Sequence, residues 1–347
     1  MTLSVDFPSL LLSVPVNALI FLAASAVLIK GSDIFVDAAA AIARSWHVSE
    51  LVIGLTLVSI GTSLPELSTS ILAQIRGESD FVIGNIAGSN VTNITLILGA
   101  ALAVGGSMPF SRHLMKRDTV IMNLLFLITV GMFFICPKIT GASGAEVRNL
   151  NRICGMLLFI GGIVYSWVLF RFPDPGSVEE ESGKADGKSV SVVREFLLLI
   201  LGLVMIVSGS EGMVDTVQWA AVKTGVPTIV ISATIVAFGT SVPELAVTIA
   251  GVLKNKCDMA VGNIVGSCIF NILLIFGLSA VVRPLAVNSG LTGMINLLLM
   301  IPTGLLLILF MALNRRTCRM PRICGIVFLI LYAGFLAFNV KTGISAA

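Results

Sequence analysis

Apolar residues run along this chain in blocks of about 20, broken by short polar stretches. A helix of about 20 residues crosses the hydrocarbon core of a bilayer. It also satisfies its own backbone hydrogen bonds there, which lipid cannot do. The blocks predict ten spanning helices, at about 11–30, 51–74, 81–104, 119–136, 150–170, 193–212, 226–252, 259–281, 289–313 and 322–340. The expected fold class is all-α integral membrane. The most polar connection, 172–192, is rich in Asp, Glu, Lys, Ser and Gly and reads as a flexible linker, too short for a folded domain.

The pattern is duplicated. Gly61-Thr62-Ser63-Leu64-Pro65-Glu66-Leu67 returns as Gly239-Thr240-Ser241-Val242-Pro243-Glu244-Leu245, an offset of 178. The same offset relates Gly31 to Gly209, Asp37 to Asp215, Gly84-Asn85-Ile86 to Gly262-Asn263-Ile264, Gly88-Ser89 to Gly266-Ser267, and Asn93 to Asn271. No gap is needed from residue 31 to 94. The expected layout is two five-helix repeats, 1–171 (spans 1–5) and 193–347 (spans 6–10), joined by the 172–192 linker. Five is odd, so the second repeat enters the membrane from the opposite side. Inverted repeats place a shared site near the midplane, at the repeat interface.

Composition agrees, with 56% hydrophobic and 12% charged residues, where a soluble domain is about a quarter charged. No basic, aromatic-studded block suggests nucleic acid. Most of the 22 lysines and arginines fall on one side if both termini lie outside, which makes the 172–192 linker cytoplasmic. The protein is then expected in the plasma (inner) membrane as a multi-pass chain. MTLSVDFPSL holds no Lys or Arg, so the first apolar run is expected to be retained rather than cleaved as a signal. The six cysteines form no CxxC pair, and the two histidines, His47 and His113, stand alone in polar loops. A thiolate or imidazole metal site is not expected.

The chemistry concentrates in the repeated motif. Pro65 has no N–H, and its ring crowds the carbonyl four residues back. The helix must loosen there and leave carbonyls near Ser59–Gly61 short of partners, which a membrane tolerates only where they line a cavity or bind something. Ser59, Thr62, Ser63 and Glu66 share one helical face. Gly84 and Gly88 permit close approach of the next span, which brings Ser89 and Asn93 within reach of Glu66. The second copy repeats the set. Two carboxylates, hydroxyls, amide oxygens and carbonyls suit a hard cation: Ca²⁺ takes six to eight oxygens. Intramembrane acids mark function by default, whereas Ser89, Ser267, Asn93 and Asn271 would also serve as plain interhelical hydrogen-bonders. Asp33, Asp37, Glu211 and Asp215, near predicted span ends, read as capping or interfacial groups.

At GTSLPEL/GTSVPEL and GNIAGSNVTN/GNIVGSCIFN the chain resembles the sodium/calcium exchanger family of the cation/calcium antiporters, in its compact prokaryotic form. The resemblance implies Ca²⁺ and Na⁺ as transported substrates, alternating access by sliding of spans 1 and 6, no cofactor and no obligatory protein partner. It implies cation ligands at Thr62, Ser63, Glu66, Ser89 and Asn93 in one half and Thr240, Ser241, Glu244, Ser267 and Asn271 in the other, with the carbonyls of Ser59 and Ala237. Many sodium-coupled relatives carry Asp where this chain has Asn271, and Cys268 replaces a frequent Asn. Exchange of three Na⁺ for one Ca²⁺ would load two carboxylates to +1 and 0. Proton-coupled Ca²⁺ exchange is the alternative, although proton-coupled relatives commonly carry an acid where Asn93 and Asn271 sit. A passive channel fits the inverted repeat less well. An enzyme is disfavoured, since the chain shows no nucleophile–base pair and no HExxH helix.

Overall fold

The computed structural model describes residues 14–46, 48–140, 146–171, 191–223, 237–287 and 291–345. In chain order the helices are α1 (Val14–Trp46), α2 (Glu50–Thr62), α3 (Leu64–Arg76), α4 (Ser79–Gly105), α5 (Leu114–Ile135), α6 (Arg152–Arg171) and α7 (Val192–Lys223). They continue as α8 (Ala237–Thr240), α9 (Val242–Leu253), α10 (Cys257–Val282), α11 (Leu291–Leu313) and α12 (Arg322–Ser345). Among the described residues eight are long and apolar enough to cross a membrane, and a ninth counts if α2 and α3, bent by 46° at their break, form one span. Of the expected span 226–252, only α8 and α9 fall among the described residues. Linker residues 172–190 and residues 1–13 lie outside them.

Burial sorts the helices. The apolar windows of α4 and α10 are each 83% buried, against 28% for α6 and 17% for α12. The repeat-related pair α4 and α10 is therefore the centre, and the lipid-facing stock is peripheral: Leu157, Ile160 and Trp167 of α6 are exposed, as are Leu197 and Val204 of α7.

Packing is reciprocal between the halves. A Cβ on Gly31 of α1 would fall 2.6 Å from Met205 Cβ of α7, and one on Gly209 of α7 would fall 2.7 Å from Leu28 N of α1. Gly155 of α6 presses on Gly277 of α10 as Gly325 of α12 presses on Gly99 of α4. Small residues of this kind let backbones touch in lipid, where no hydrophobic force drives helices together. Three short strand pairs tie the ends. Ser107–Pro109 pairs antiparallel with Arg319–Pro321, Asn149–Leu150 with Leu285–Ala286, and Ile139–Thr140 with Glu146–Val147. The strands 107–109 and 285–286 each follow one of the repeat-related helices α4 and α10, so the staples also exchange halves.

Two helices are longer than their hydropathy suggests. The expected spans 11–30 and 193–212 end where acids begin, but α1 runs on to Trp46 and α7 to Lys223. Asp33, Asp37, Glu211 and Asp215 thus stand inside helices and cap nothing. Hydropathy windows stop at a charge; the backbone does not, and residues 38–43 of α1 are alanine-rich and buried, a composition that favours helix.

Candidate functional site

Each repeated motif breaks a helix at its serine. Ser63 (φ −86°, ψ 7°) separates α2 from α3, and Ser241 (φ −93°, ψ 2°) separates α8 from α9. Pro65 and Pro243 then sit at the start of the new helices, where a missing N–H does no harm. The face expected from Ser59 to Glu66 is consequently bent rather than continuous. The restart puts Glu66 and Glu244 in the first turn of α3 and α9, where the positive end of the helix favours a carboxylate. Both acids are 1% exposed.

The hydrogen bonds cross between the halves. Ser63 Oγ donates to Glu244 Oε1 at 2.9 Å and lies 3.2 Å from Ser267 Oγ. Ser241 Oγ lies 3.4 Å from Ser89 Oγ. Thr62 Oγ1 donates to Asn263 Oδ1 at 3.2 Å, and its repeat-mate Thr240 donates to Asn85 Oδ1 at 3.4 Å. Asn93 and Asn271 each open a π-helical stretch, Asn93–Ile97 and Asn271–Phe276. Such bulges concentrate at functional positions. The Asn93 stretch packs on α9, the helix of Glu244, and the Asn271 stretch packs on α3, the helix of Glu66. The sequence placed Asn93 within reach of Glu66; the stretch that Asn93 opens packs on the helix of the other acid.

Four side-chain oxygens in this cluster are buried with no donor: Glu66 Oε2, Glu244 Oε2, Asn93 Oδ1 and Asn271 Oδ1. A buried acceptor left unmatched costs about 1–3 kcal/mol. The four stand at repeat-related positions, two acids and two amides, and all are hard oxygens. Among the described residues no group of three or more His, Cys, Asp or Glu forms, here or elsewhere, so this cluster stands on two acids with amides and hydroxyls.

The twelve expected site residues fare differently. Thr62, Ser63, Glu66, Ser89, Asn93, Ser241, Glu244, Ser267 and Asn271 are all buried. Thr240 joins them through Asn85. Ser59 is buried too, but its carbonyl is not free: it accepts from Ser63 N–H at 3.1 Å and from Thr62 Oγ1 at 3.3 Å. Pro65 removes the i+4 helical partner of the Gly61 carbonyl, which instead lies against the Ser63 N–H. Ala237 opens α8. Gly262 and Gly266 make the expected close approach, against Leu51 and Leu55 carbonyls of α2. The segment that would oppose Gly84 and Gly88 by the same symmetry, near 229–233, lies outside the described residues.

Asn85, Asn263 and Asn90 were not singled out from sequence. Asn85 and Asn263 share the offset of 178, which could have flagged them. Asn85 Nδ2 holds Ser70 Oγ at 3.2 Å and Asn263 Nδ2 holds Thr248 Oγ1 at 3.1 Å, again repeat-mates.

Comparison with known proteins comes to the same place. A family model described as "Sodium/calcium exchanger protein" matches residues 16–171 and 194–341. Sodium/calcium exchanger MaX1 of Methanosarcina acetivorans is 34% identical over 93% of this chain and 98% of its own length. The Ca(2+)/H(+) antiporter ChaA of Bacillus subtilis is 27% identical over 62% of each. Among solved structures, the sodium-calcium exchanger NCX_Mj soaked with 10 mM Na⁺ and no Ca²⁺ superposes with a TM-score of 0.76, at 30% identity, over 92% of this chain and 98% of that one.

Proposed function

The chain belongs to the sodium/calcium exchanger family, and from that premise we propose that it is a secondary antiporter that expels Ca²⁺ from the cytoplasm in exchange for inward Na⁺. The observation that carries this reading is the set of four unmatched buried oxygens on Glu66, Glu244, Asn93 and Asn271. The ions bind between α2/α3, α4, α8/α9 and α10, with Thr62, Ser63, Ser89, Thr240, Ser241 and Ser267 completing the cage. Two carboxylates neutralise one Ca²⁺, and the same oxygens divide among smaller-charged Na⁺.

The wider arrangement follows from the repeat. The protein spans the membrane ten times as two inverted five-helix repeats, with both termini outside and the 172–192 linker in the cytoplasm. Reciprocal glycine contacts and reciprocal threonine–asparagine pairs support a two-fold relation between the halves. An inverted repeat makes two conformations out of one sequence plan, each half taking in turn the shape of the other. That suits alternating access and gives no ring of subunits for a pore.

Similarity to ChaA keeps proton coupling as a second reading. Proteoliposomes separate the two. Uptake of ⁴⁵Ca²⁺ driven by an outward Na⁺ gradient, and lost in Glu66→Gln and Glu244→Gln, is the expected result. Uptake driven by a pH gradient in the absence of Na⁺ would replace Na⁺ by H⁺ as the coupling ion.

A further inference from the structure

Asn271 is an amide at a position where the cage needs an oxygen. An amide has two ends, and only one serves a cation: turned the other way it presents an NH₂ to the ion. Something has to fix which end faces inward.

The neighbours of Asn271 do this. Asn271 Nδ2 donates to Asn90 Oδ1 at 3.1 Å, and Asn90 Nδ2 in turn contacts Met300 Sδ of α11 at 3.3 Å. Asn90 and Met300 are both fully buried, so no solvent offers either amide an alternative. A thioether sulfur accepts and has no hydrogen to give. Against Met300, Asn90 therefore places its NH₂ and keeps its carbonyl oxygen for Asn271. Against that oxygen, Asn271 places its own NH₂. The end left over is Asn271 Oδ1, one of the four buried oxygens without a donor.

We propose that Met300 and Asn90 form a polarity relay that orients Asn271 as an oxygen ligand, with Asn90 as a positioning residue that does not itself touch the ion. The proposal rests on the reading of Asn271 as part of the cation cage. The second amide is found on one side alone. The repeat-mate of Asn90 is Cys268, whose Sγ lies 3.9 Å from the Asn90 backbone carbonyl and also interacts with the Asn93 side chain, so a thiol stands beside Asn93 where an amide stands beside Asn271.

The test is a double-mutant cycle read as equilibrium ⁴⁵Ca²⁺ binding to the purified full-length protein. Asn90→Ala frees Asn271 to turn, and Ca²⁺ binding should weaken roughly two- to tenfold, the worth of one hydrogen bond. In an Asn271→Asp background both ends of the side chain are oxygens, so nothing remains to be oriented. There the same Asn90→Ala change should cost less than about twofold, since the coupling term of the cycle isolates the pair. Met300→Leu keeps the volume and removes the acceptor. It should weaken binding in the native background, and this loss too should vanish with Asn271→Asp. It provides the same reading should Asn90→Ala fail to fold. Equal losses in both backgrounds, or no loss in the native one, would overturn the relay. A wild-type protein that binds Ca²⁺ but shows no such coupling defeats the relay alone; one that binds no Ca²⁺ defeats the transport reading with it.

Discussion

Ser63 of the first half donates its hydroxyl to Glu244 of the second, Oγ to Oε1 at 2.9 Å. One oxygen of Glu244 is thereby held by the opposite repeat while the other, Oε2, is left unmatched. Ser63→Ala should lower apparent Ca²⁺ affinity roughly ten- to hundredfold, since a hydrogen bond to a charged group is worth about 1.5–3 kcal/mol. Glu244→Gln should abolish exchange. Vesicle uptake at varied Ca²⁺ checks both, and a Ser63→Ala protein with native affinity would remove the hydroxyl from the site.

A second prediction concerns charge movement. With two carboxylates fixed in the cage, exchange of three Na⁺ for one Ca²⁺ carries one net charge per cycle, worth about 2.3 kcal/mol per 100 mV. A potassium diffusion potential imposed on vesicles should speed uptake in one polarity and slow it in the other. Uptake indifferent to potential means an electroneutral ratio.

Lys254, just past α9, grips α1 from the core. Its Nζ lies 2.6 Å from Asp37 Oδ2 and 3.0 Å from the Asp33 carbonyl. The repeat-mates Arg76, Glu211 and Asp215 make no ion pair among the described residues. On the alternating-access reading proposed above, the Lys254 contact is a closed latch and its repeat-mate an open one. Lys254→Asp should change the apparent affinities at the two faces in opposite senses, by about fivefold at most given the partial exposure. Asp37→Lys added to it should restore them. Failure of the charge swap to rescue would make the contact incidental.

The crossing of α1 and α7 should tolerate no side chain. At Gly209 a Cβ would stand 2.7 Å from Leu28 N and 2.8 Å from Ala24 O, and Gly209→Ala should cost about 1–3 kcal/mol from overpacking. Thermal unfolding in detergent measures it, with Gly131, whose Cβ would meet no atom within 4 Å, as the control. Equal losses at both positions would show that the crossing has slack.

What the sequence made readable is what the repeat preserved. Glu66 and Glu244 stand out because a near-identical heptapeptide surrounds each acid, and the broken helices follow from Pro65 and Pro243. Adjacency was harder. An offset of 178 says that Asn93 and Asn271 are equivalent, not which acid each attends, and the π-helical stretches that set them across the interface have no signature in residue type. The length of α1 was hidden because hydropathy reports where lipid ends, while helix continues through Asp33 and Asp37 into buried alanines. Asn90 was invisible for the opposite reason: the relay lies where the repeat fails, with Cys268 opposite, and a search for symmetry passes over it.

The glycine-lined seam between α1 and α7 has a practical consequence. Backbones that meet at Gly31, Gly202 and Gly209 with no room for a methyl group cannot be displaced singly, so the first helix of each half is handled by the protein as one piece. The exposed flank of α1, at Leu19, Leu22 and Ile29, lies in the spanning stretch and faces lipid, so on the exchange reading a ligand that holds this paired unit from outside the ion cage has to reach it through the bilayer, as a lipid-soluble molecule does.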